Sequence, residues 1–193
     1  MSAFIKQLEN PCSTNYKELQ NAIYDPDFLW SYHDPMGFPG EGREKELPYY
    51  SHTIMRRPMP GQAYSVITSN LFDLTYKVIE EILNANNIQP KIVYRINFNS
   101  TFATNLSQSS WHKDLQFPHT NLIVYMNKFD GGATLVRDKI ERPAVGRVEK
   151  FSATKEQAYE PKVDDAIIFD GDLEHCHLTP DDGRRITLVV NYL

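Results

Sequence analysis

Two stretches of the chain place apolar residues at the three- and four-residue spacing of an amphipathic helix. The first begins at Ser13 or Thr14, either of which can cap a helix, and ends before Pro26. The second covers residues 70–85 and ends in an asparagine-rich stretch before Pro90. Its apolar positions are Leu71, Phe72, Leu74, Val78, Ile79, Ile82 and Leu83. We expect this second helix to pack its apolar stripe on the back of a sheet.

Beyond the second helix the apolar residues recur at every second position, which is the period of a strand. The apolar residues from Ile92 to Phe98 alternate with Val93, Arg95, Asn97 and Asn99. We expect that largely polar face to border a cavity. Further strands are predicted at 121–127, 133–136, 147–151, 166–169 and 186–192, with a loop at 100–110 and a turn at Asp130-Gly131-Gly132. This order predicts a mainly β fold with flanking helices and a jelly-roll core.

The segment from Trp30 to Pro60 follows neither period. Prolines and glycines punctuate aromatic and charged residues there, including Tyr49 and Arg57, and this composition predicts a long irregular segment. Long ordered loops in compact domains are often lids or binding loops, and the alternative is a packed surface loop. We expect the segment to border the mouth of the predicted cavity.

Composition limits the class of protein. The 193 residues suffice for one globular domain with a substantial core, and 41% of them are apolar. A net charge of -5 argues against nucleic acid and anionic membranes as partners, since both attract basic surfaces. Cys12 and Cys176 form no disulfide or zinc-finger pattern, which favours a reducing, cytoplasmic setting. We expect neither a signal peptide nor a membrane span, because no apolar run has the required length.

A histidine and an aspartate that suit a metal ion occur in Trp111-His112-Lys113-Asp114. Side chains two residues apart on an extended backbone point the same way, so His112 and Asp114 can bind one ion together. A third ligand can come from His175, and His177 competes with it because both lie on one face of an extended segment. Two histidines and one carboxylate, with the other coordination positions open, form the facial triad of non-haem Fe(II) oxygenases.

The second half of the chain resembles the Fe(II)- and 2-oxoglutarate-dependent dioxygenases, on the prolyl-4-hydroxylase-like branch of that superfamily. The residues that carry the resemblance are His112, Asp114, Tyr125-Met126-Asn127, Gly131-Gly132, His175 and Arg185. The family has a basic residue about ten positions after its distal histidine, and this spacing favours His175 over His177 as the third ligand. The resemblance covers residues 92–193, and residues 1–91 carry no family signature.

The resemblance implies a single-domain enzyme whose core is a double-stranded β-helix of the cupin-like, jelly-roll type. Residues 92–193 would form this core and carry the site, and residues 1–91 would give helical and loop support. The implied cofactor is Fe(II), with 2-oxoglutarate as cosubstrate and O2. The implied metal ligands are His112, Asp114 and His175, and the implied cosubstrate contacts are Arg185, Thr187 and Tyr125. Arg95, Asn97 and His177 are candidates for substrate contacts or for support of the ligands.

Arg185 suits a carboxylate because its planar guanidinium can pair with both oxygens. Thr187 shares the same strand face, whereas Arg184 points to the opposite face, where we expect a solvated surface charge. Six further aromatic, histidine and cysteine residues fit polar surface or packed core positions. They are His33, His52, His119, Tyr94, Trp111 and Cys176.

The implied reaction hydroxylates a C–H bond while 2-oxoglutarate is decarboxylated to succinate and CO2. A prolyl or other residue of a peptide or protein is the first substrate hypothesis, and a free amino acid or other small molecule is the alternative. A second alternative is a non-catalytic jelly-roll module that only holds a metal. Such a module would have no need of Arg185, Thr187 and Tyr125. The sequence leaves open whether the protein is a monomer or a dimer.

Overall fold

The computed structural model describes residues 4–33, 47–59, 61–138 and 155–193. These ranges hold two helices, α1 (Thr14–Tyr24) and α2 (Phe72–Ala85). The strands in them are β1 (Ile5–Leu8), β2 (Ser31–His33), β3 (Tyr49–Arg56), β4 (Val66–Ile67), β5 (Val93–Phe102), β6 (Thr120–Tyr125), β7 (Asp130–Gly131), β8 (Thr134–Arg137), β9 (Glu156–Tyr159), β10 (Ala166–Asp170), β11 (Glu174–His177), β12 (Pro180–Asp182) and β13 (Arg184–Tyr192). The strand predicted at 147–151 lies outside the described residues.

Most of the strands form one large antiparallel sheet. Its order is β1-β10-β6-β13-β5-β3-β2, and β4 pairs with β3. A smaller sheet has the order β11-β8-β9, and β12 pairs with β7. Val136 of the smaller sheet shares one core cluster with Ile123 and Ile167 of the large sheet, so the two sheets face each other. The predicted mainly β, jelly-roll architecture is confirmed.

Both helices cover one face of the large sheet. The Ser13 side chain accepts a hydrogen bond from the backbone of Tyr16 and caps α1, as predicted. Apolar residues of both helices and of the sheet share one core cluster, which includes Leu19, Ile23, Val78, Ile82, Phe98 and Leu188. Because side chains alternate along a strand, this packing leaves the odd-numbered residues of β13 on the other face, toward the smaller sheet. Neither described helix has the length and apolarity needed to cross a bilayer.

The segment from Trp30 to Pro60 is less irregular than predicted. Tyr49–Arg56 forms an eight-residue strand, β3, which pairs with β5. The prediction of irregular structure was wrong for these residues because a register shift between Thr53 and Met55 interrupts the two-residue period. Residues 34–46 and Pro60 lie outside the described ranges.

The described residues before position 92 supply four strands of the large sheet in addition to both helices. β1 pairs with β10 at one end of the large sheet, and β2, β3 and β4 extend its other end. β5 likewise continues to Phe102, into the stretch predicted as a loop. The large sheet therefore depends on pairing between distant parts of the chain.

Candidate metal centre

Three residues bring metal-ligating atoms together at one end of the space between the sheets. His112 and His175 form an isolated antiparallel bridge, with His112 N donating to His175 O at 3.0 Å and His175 N donating to His112 O at 2.9 Å. The ligating atoms of His112, Asp114 and His175 all lie within 4.8 Å of one another. No other group of three or more such residues occurs in the described part of the chain. His177 is not a member of the group.

The two histidines present the correct form of imidazole for a metal. The carbonyl oxygen of Ser110 lies 2.8 Å from His112 Nδ1 and accepts its proton, which leaves a lone pair on His112 Nε2. Burial lowers the pKa of His175 to about 4, although Asp114 opposes that shift. His175 is therefore neutral at physiological pH. Its Nε2 lies 3.8 Å from Asp114 Oδ2, and His112 Nε2 lies 4.0 Å from Asp114 Oδ1.

A row of polar side chains from three neighbouring strands holds the carboxylate of Asp114. Arg95 Nη1 donates to Asp114 Oδ1 at 3.1 Å, and Asn191 Nδ2 donates to Asp114 Oδ2 at 3.0 Å. Asn191 Nδ2 also donates to Asn121 Oδ1 at 2.5 Å. Asn191 lies directly opposite Arg95 on one side and Asn121 on the other. Both oxygens of the ligand are thus held in place by the sheet beneath it.

The same surroundings keep Asp114 ionised. Burial by itself would raise the pKa of this carboxyl group, because it disfavours the charged form. In the acidic range where its ring is protonated, His175 acts together with Arg95, His112 and the Asn191 amide to outweigh burial, and these groups hold the pKa of Asp114 well below its usual range. The result is a pair of imidazoles and one carboxylate, a donor set that suits Fe(II).

Asn191→Ala is expected to weaken binding of a divalent metal by about 10- to 100-fold, the usual effect of removing a partner that orients a ligand. The measurement is titration of the purified protein with Fe(II) under anaerobic conditions. Asn97→Ala is the matched control, since Asn97 is also buried but bonds to Thr53 and Asn99 rather than to Asp114. Equal loss of affinity in both variants would assign the effect to folding instead of ligand orientation.

A cavity of about 420 Å³ lies beside the three candidate ligands. This volume is within the range of roughly 300–1,000 Å³ that is usual for small-molecule sites. Its walls come from both sheets and from the loop before His112. They include Arg95, Asn99, Thr101, Ser109, Ser110, Thr134, His177, Arg185, Thr187 and Val189. Arg95 and Asn99 of the predicted polar face of β5 line the cavity, whereas Val93 and Asn97 of that face do not.

Arg185 is a buried cation in the wall of this cavity. Only 4% of the residue is exposed, and its side chain donates to Gly132 O at 3.1 Å and to Thr134 Oγ1 at 3.0 Å. No aspartate or glutamate of the described ranges pairs with it, and burial lowers its pKa. A buried charge is costly unless an opposite charge accompanies it. The guanidinium therefore has the environment of a binding site for a carboxylate.

Gly132 allows this arrangement. Its φ is +68°, a backbone conformation that residues other than glycine rarely adopt. A Cβ at this position would lie 2.9 Å from the ring of Phe129 and 3.2 Å from Cδ of Arg185. The glycine therefore lets its own carbonyl oxygen approach and orient the guanidinium.

The other two predicted cosubstrate contacts lie at different depths. Thr187 is buried and lines the cavity two residues after Arg185, on the same face of β13. Tyr125 is fully buried and does not line the cavity, and its hydroxyl lies 2.8 Å from Thr134 Oγ1. Thr134 Oγ1 forms hydrogen bonds with both the Tyr125 hydroxyl and the Arg185 guanidinium. Thr134 was not among the residues predicted from the sequence. Its place two residues after Gly132, at the start of the strand that follows the hairpin, was the signal that could have found it.

The remaining candidates occupy three different environments. Arg95 lines the cavity and supports Asp114, whereas Asn97 does not line the cavity. Arg184 is half-buried above the ring of Trp30, with 4.4 Å from its guanidinium carbon to the ring centroid, and it donates to Ser100 Oγ at 2.6 Å. The expectation of a solvated charge at Arg184 was wrong, because the aromatic residues on that face of the sheet cover it.

Two described residues of the Trp30–Pro60 segment reach the cavity. Leu47 and Tyr49 line it together with the candidate metal ligands His112, Asp114 and His175. Arg57 also donates to the backbone oxygen of Asp114 at 2.6 Å. These contacts agree with the prediction that the segment borders the cavity mouth.

The fold is similar to that of several solved structures. An oxidoreductase of the 2OG-Fe(II) oxygenase family from Burkholderia pseudomallei has a TM-score of 0.58 and 14% identity, over 85% of this chain and 71% of that chain. A prolyl hydroxylase from Trichoplax adhaerens, in complex with a peptide fragment of the hypoxia inducible factor oxygen degradation domain, has a TM-score of 0.56 and 12% identity, over 98% and 83% of the chains. The non-heme alpha ketoglutarate dependent carbocyclase SnoK from nogalamycin biosynthesis has a TM-score of 0.61 and 12% identity, over 98% and 79%.

The sequence itself gives no such match, since no family model and no curated protein matches it. At these low identities the similarity establishes a shared fold. This chain therefore has the fold of the 2OG-Fe(II) oxygenases, including that of prolyl hydroxylases.

Proposed function

We propose that the protein is an Fe(II)- and 2-oxoglutarate-dependent oxygenase that hydroxylates a C–H bond. The observation that carries the proposal is the buried Arg185, which has no acidic partner in the described ranges and shares one cavity with His112, Asp114 and His175. A metal site at one place in a cavity and a free cation at another suit a molecule with a chelating group and a carboxylate. 2-Oxoglutarate has both groups.

The residues of the cavity would have separate roles in binding the metal and the cosubstrate. His112, Asp114 and His175 would hold the iron, which supplies the activation of O2 once 2-oxoglutarate is bound. Arg185 and Thr187 would bind the distal carboxylate of 2-oxoglutarate, and Thr134 would keep the guanidinium in place. Arg95 and Asn191 would keep the Asp114 carboxylate at the metal. Fixed positions for the metal and the cosubstrate leave the remaining part of the cavity to orient the target carbon.

The arrangement speaks against a module that only stores or displays a metal. Such a protein needs the three ligands and their supporting residues, but it gains nothing from a buried arginine without an anion. Burial of that charge reduces stability in the absence of a carboxylate ligand. The cation is explained if a carboxylate ligand occupies the cavity during function.

For the substrate we propose a prolyl or other residue of a peptide or protein, with a free amino acid or another small molecule as the alternative. The first is supported by the shared fold with a prolyl hydroxylase that was solved with a peptide, and the second by the shared fold with a carbocyclase. A cytoplasmic location stays a prediction that rests on two free cysteines.

A substrate screen separates these two possibilities. The protein is reconstituted with Fe(II) and incubated with 2-oxoglutarate in air, once with proline-containing peptides and once with free amino acids. Mass spectrometry should find a product that has gained one oxygen atom, and omission of 2-oxoglutarate should abolish it. A product that forms equally well without 2-oxoglutarate would contradict the proposed function.

A further inference from the structure

His177 has an anchored side chain whose outer nitrogen is left without a partner. It follows His175 by two residues on β11 and lines the same cavity. Its backbone N–H donates to Ser109 Oγ at 3.0 Å, and its Nδ1 lies 3.1 Å from the same oxygen. The loop that carries His112 is therefore attached to β11 through this serine.

The Ser109 contact allows the ring to carry its proton on Nε2. Ser109 Oγ accepts the backbone proton of His177 and keeps its own proton, which it can donate to Nδ1. In this tautomer Nδ1 is the acceptor and the ring proton lies on Nε2. This Nε2 is buried and has no hydrogen-bond partner within the part of the chain that the structure describes. A buried N–H without an acceptor is unfavourable, so a ligand that accepts it would bind more tightly.

The strand pairing places this donor beside the arginine. His177 lies directly opposite Thr134 in the β8–β11 pair. Thr134 Oγ1 in turn accepts a hydrogen bond from Arg185 at 3.0 Å. His177, Thr134 and Arg185 all line the cavity. His177 Nε2 and the Arg185 guanidinium, neither of which has an acidic partner in the described ranges, therefore lie in the same part of the cavity.

We propose that His177 Nε2 donates to the distal carboxylate of the bound oxo acid and makes the site select dicarboxylic over monocarboxylic 2-oxo acids. The inference rests on the proposed function and adds a specificity-determining residue to it. A carboxylate has about four lone-pair sites, so the guanidinium of Arg185 and the hydroxyl of Thr187 leave room for a further donor. His177 is thereby a binding residue of the cosubstrate and not a metal ligand.

The test compares two ligands that differ in one group. 2-Oxopentanoate has the carbon chain of 2-oxoglutarate but no distal carboxylate. Calorimetric titrations use protein loaded with Mn(II) under anaerobic conditions, so that binding is measured without turnover. His177→Leu is expected to raise the Kd for 2-oxoglutarate by about 10- to 100-fold and to leave the Kd for 2-oxopentanoate unchanged. His177→Gln keeps an N–H donor and should restore much of the lost affinity.

Three outcomes would overturn the inference. Unchanged 2-oxoglutarate affinity in His177→Leu would mean that His177 makes no contact with the cosubstrate. Equal weakening for both ligands would place the contact at the metal-binding end. Loss of Mn(II) itself from His177→Leu would make His177 a metal ligand.

Arg185→Ala, titrated in parallel, distinguishes this failure from a failure of the proposed function. If Arg185→Ala loses 2-oxoglutarate affinity while His177→Leu does not, only the inference about His177 is wrong. If wild-type protein binds no 2-oxoglutarate, or Arg185→Ala binds it as tightly as wild type, the proposed function is wrong and the inference falls with it.

Discussion

Arg185→Ala is expected to weaken binding of 2-oxoglutarate by about 30-fold or more while leaving iron binding unchanged. A desolvated, charge-assisted contact between a guanidinium and a carboxylate is worth on the order of 2 to 5 kcal/mol. Arg185 is almost fully buried, so solvent screening reduces this contact little. It makes none of the hydrogen bonds that hold Asp114. Equilibrium titration of 2-oxoglutarate into the anaerobic, Fe(II)-loaded variant measures the effect.

Arg184→Ala is the matched control for Arg185→Ala. The two arginines are adjacent in sequence but lie on opposite faces of β13. Arg184 contacts Trp30 and Ser100, so its removal should lower stability by about 1 kcal/mol and leave the 2-oxoglutarate affinity unchanged. If the affinity falls for Arg184→Ala and not for Arg185→Ala, the carboxylate binds on the other face of the strand and the assignment of the cavity is wrong.

Alanine at His112, Asp114 or His175 is expected to abolish tight iron binding. Each residue is one of the three proposed ligands in the described part of the chain. Its loss should therefore weaken iron binding by more than the roughly 10- to 100-fold expected for a residue that only supports a ligand. The fold should persist, because the helices and the large sheet are held by an apolar core on the opposite face. Iron content after anaerobic dialysis measures iron binding, and circular dichroism shows whether the fold persists.

His177→Ala is the control for these three variants. It should retain iron, because its ring is not part of the ligand group. Full iron occupancy in His175→Ala together with loss of iron from His177→Ala would reverse the assignment of the third ligand.

Much of the fold follows from local periodicity. The three- and four-residue spacing around Val78 and Ile82 predicts α2, and the two-residue spacing around Arg95 predicts β5. Both patterns are strong because each element has one face in the apolar core and one face elsewhere. β3 was not predicted, since its register shift at Thr53 breaks the alternation that marks a strand.

The site was only partly accessible from the sequence. His112 and Asp114 are two residues apart, so the sequence shows them as a pair. The spacing of ten residues between His175 and Arg185 can likewise be read from one segment of the sequence. The support for Asp114 depends instead on Asn191 and Asn121, which become neighbours only when β13 pairs with β6. No local pattern marks either asparagine, because their role comes from the lateral order of strands in the sheet.

The partner of Ser109 and the place of Thr134 depend on strand pairing in the same way. Ser109 lies in the loop that precedes His112, and its contact with His177 requires this loop to lie along β11. Thr134 meets Arg185 across the space between two sheets. Residues of this kind can be identified only when the three-dimensional arrangement is known.

Formation of succinate is the most direct test of the account as a whole. Wild-type protein supplied with Fe(II), 2-oxoglutarate and O2 should form succinate, and the reaction should stop when any one of the three is left out. Asp114→Ala should form none, because it lacks the carboxylate ligand. Succinate formation by Asp114→Ala at the wild-type rate would contradict the account. So would the absence of succinate from wild-type protein that demonstrably binds iron and 2-oxoglutarate and is supplied with O2.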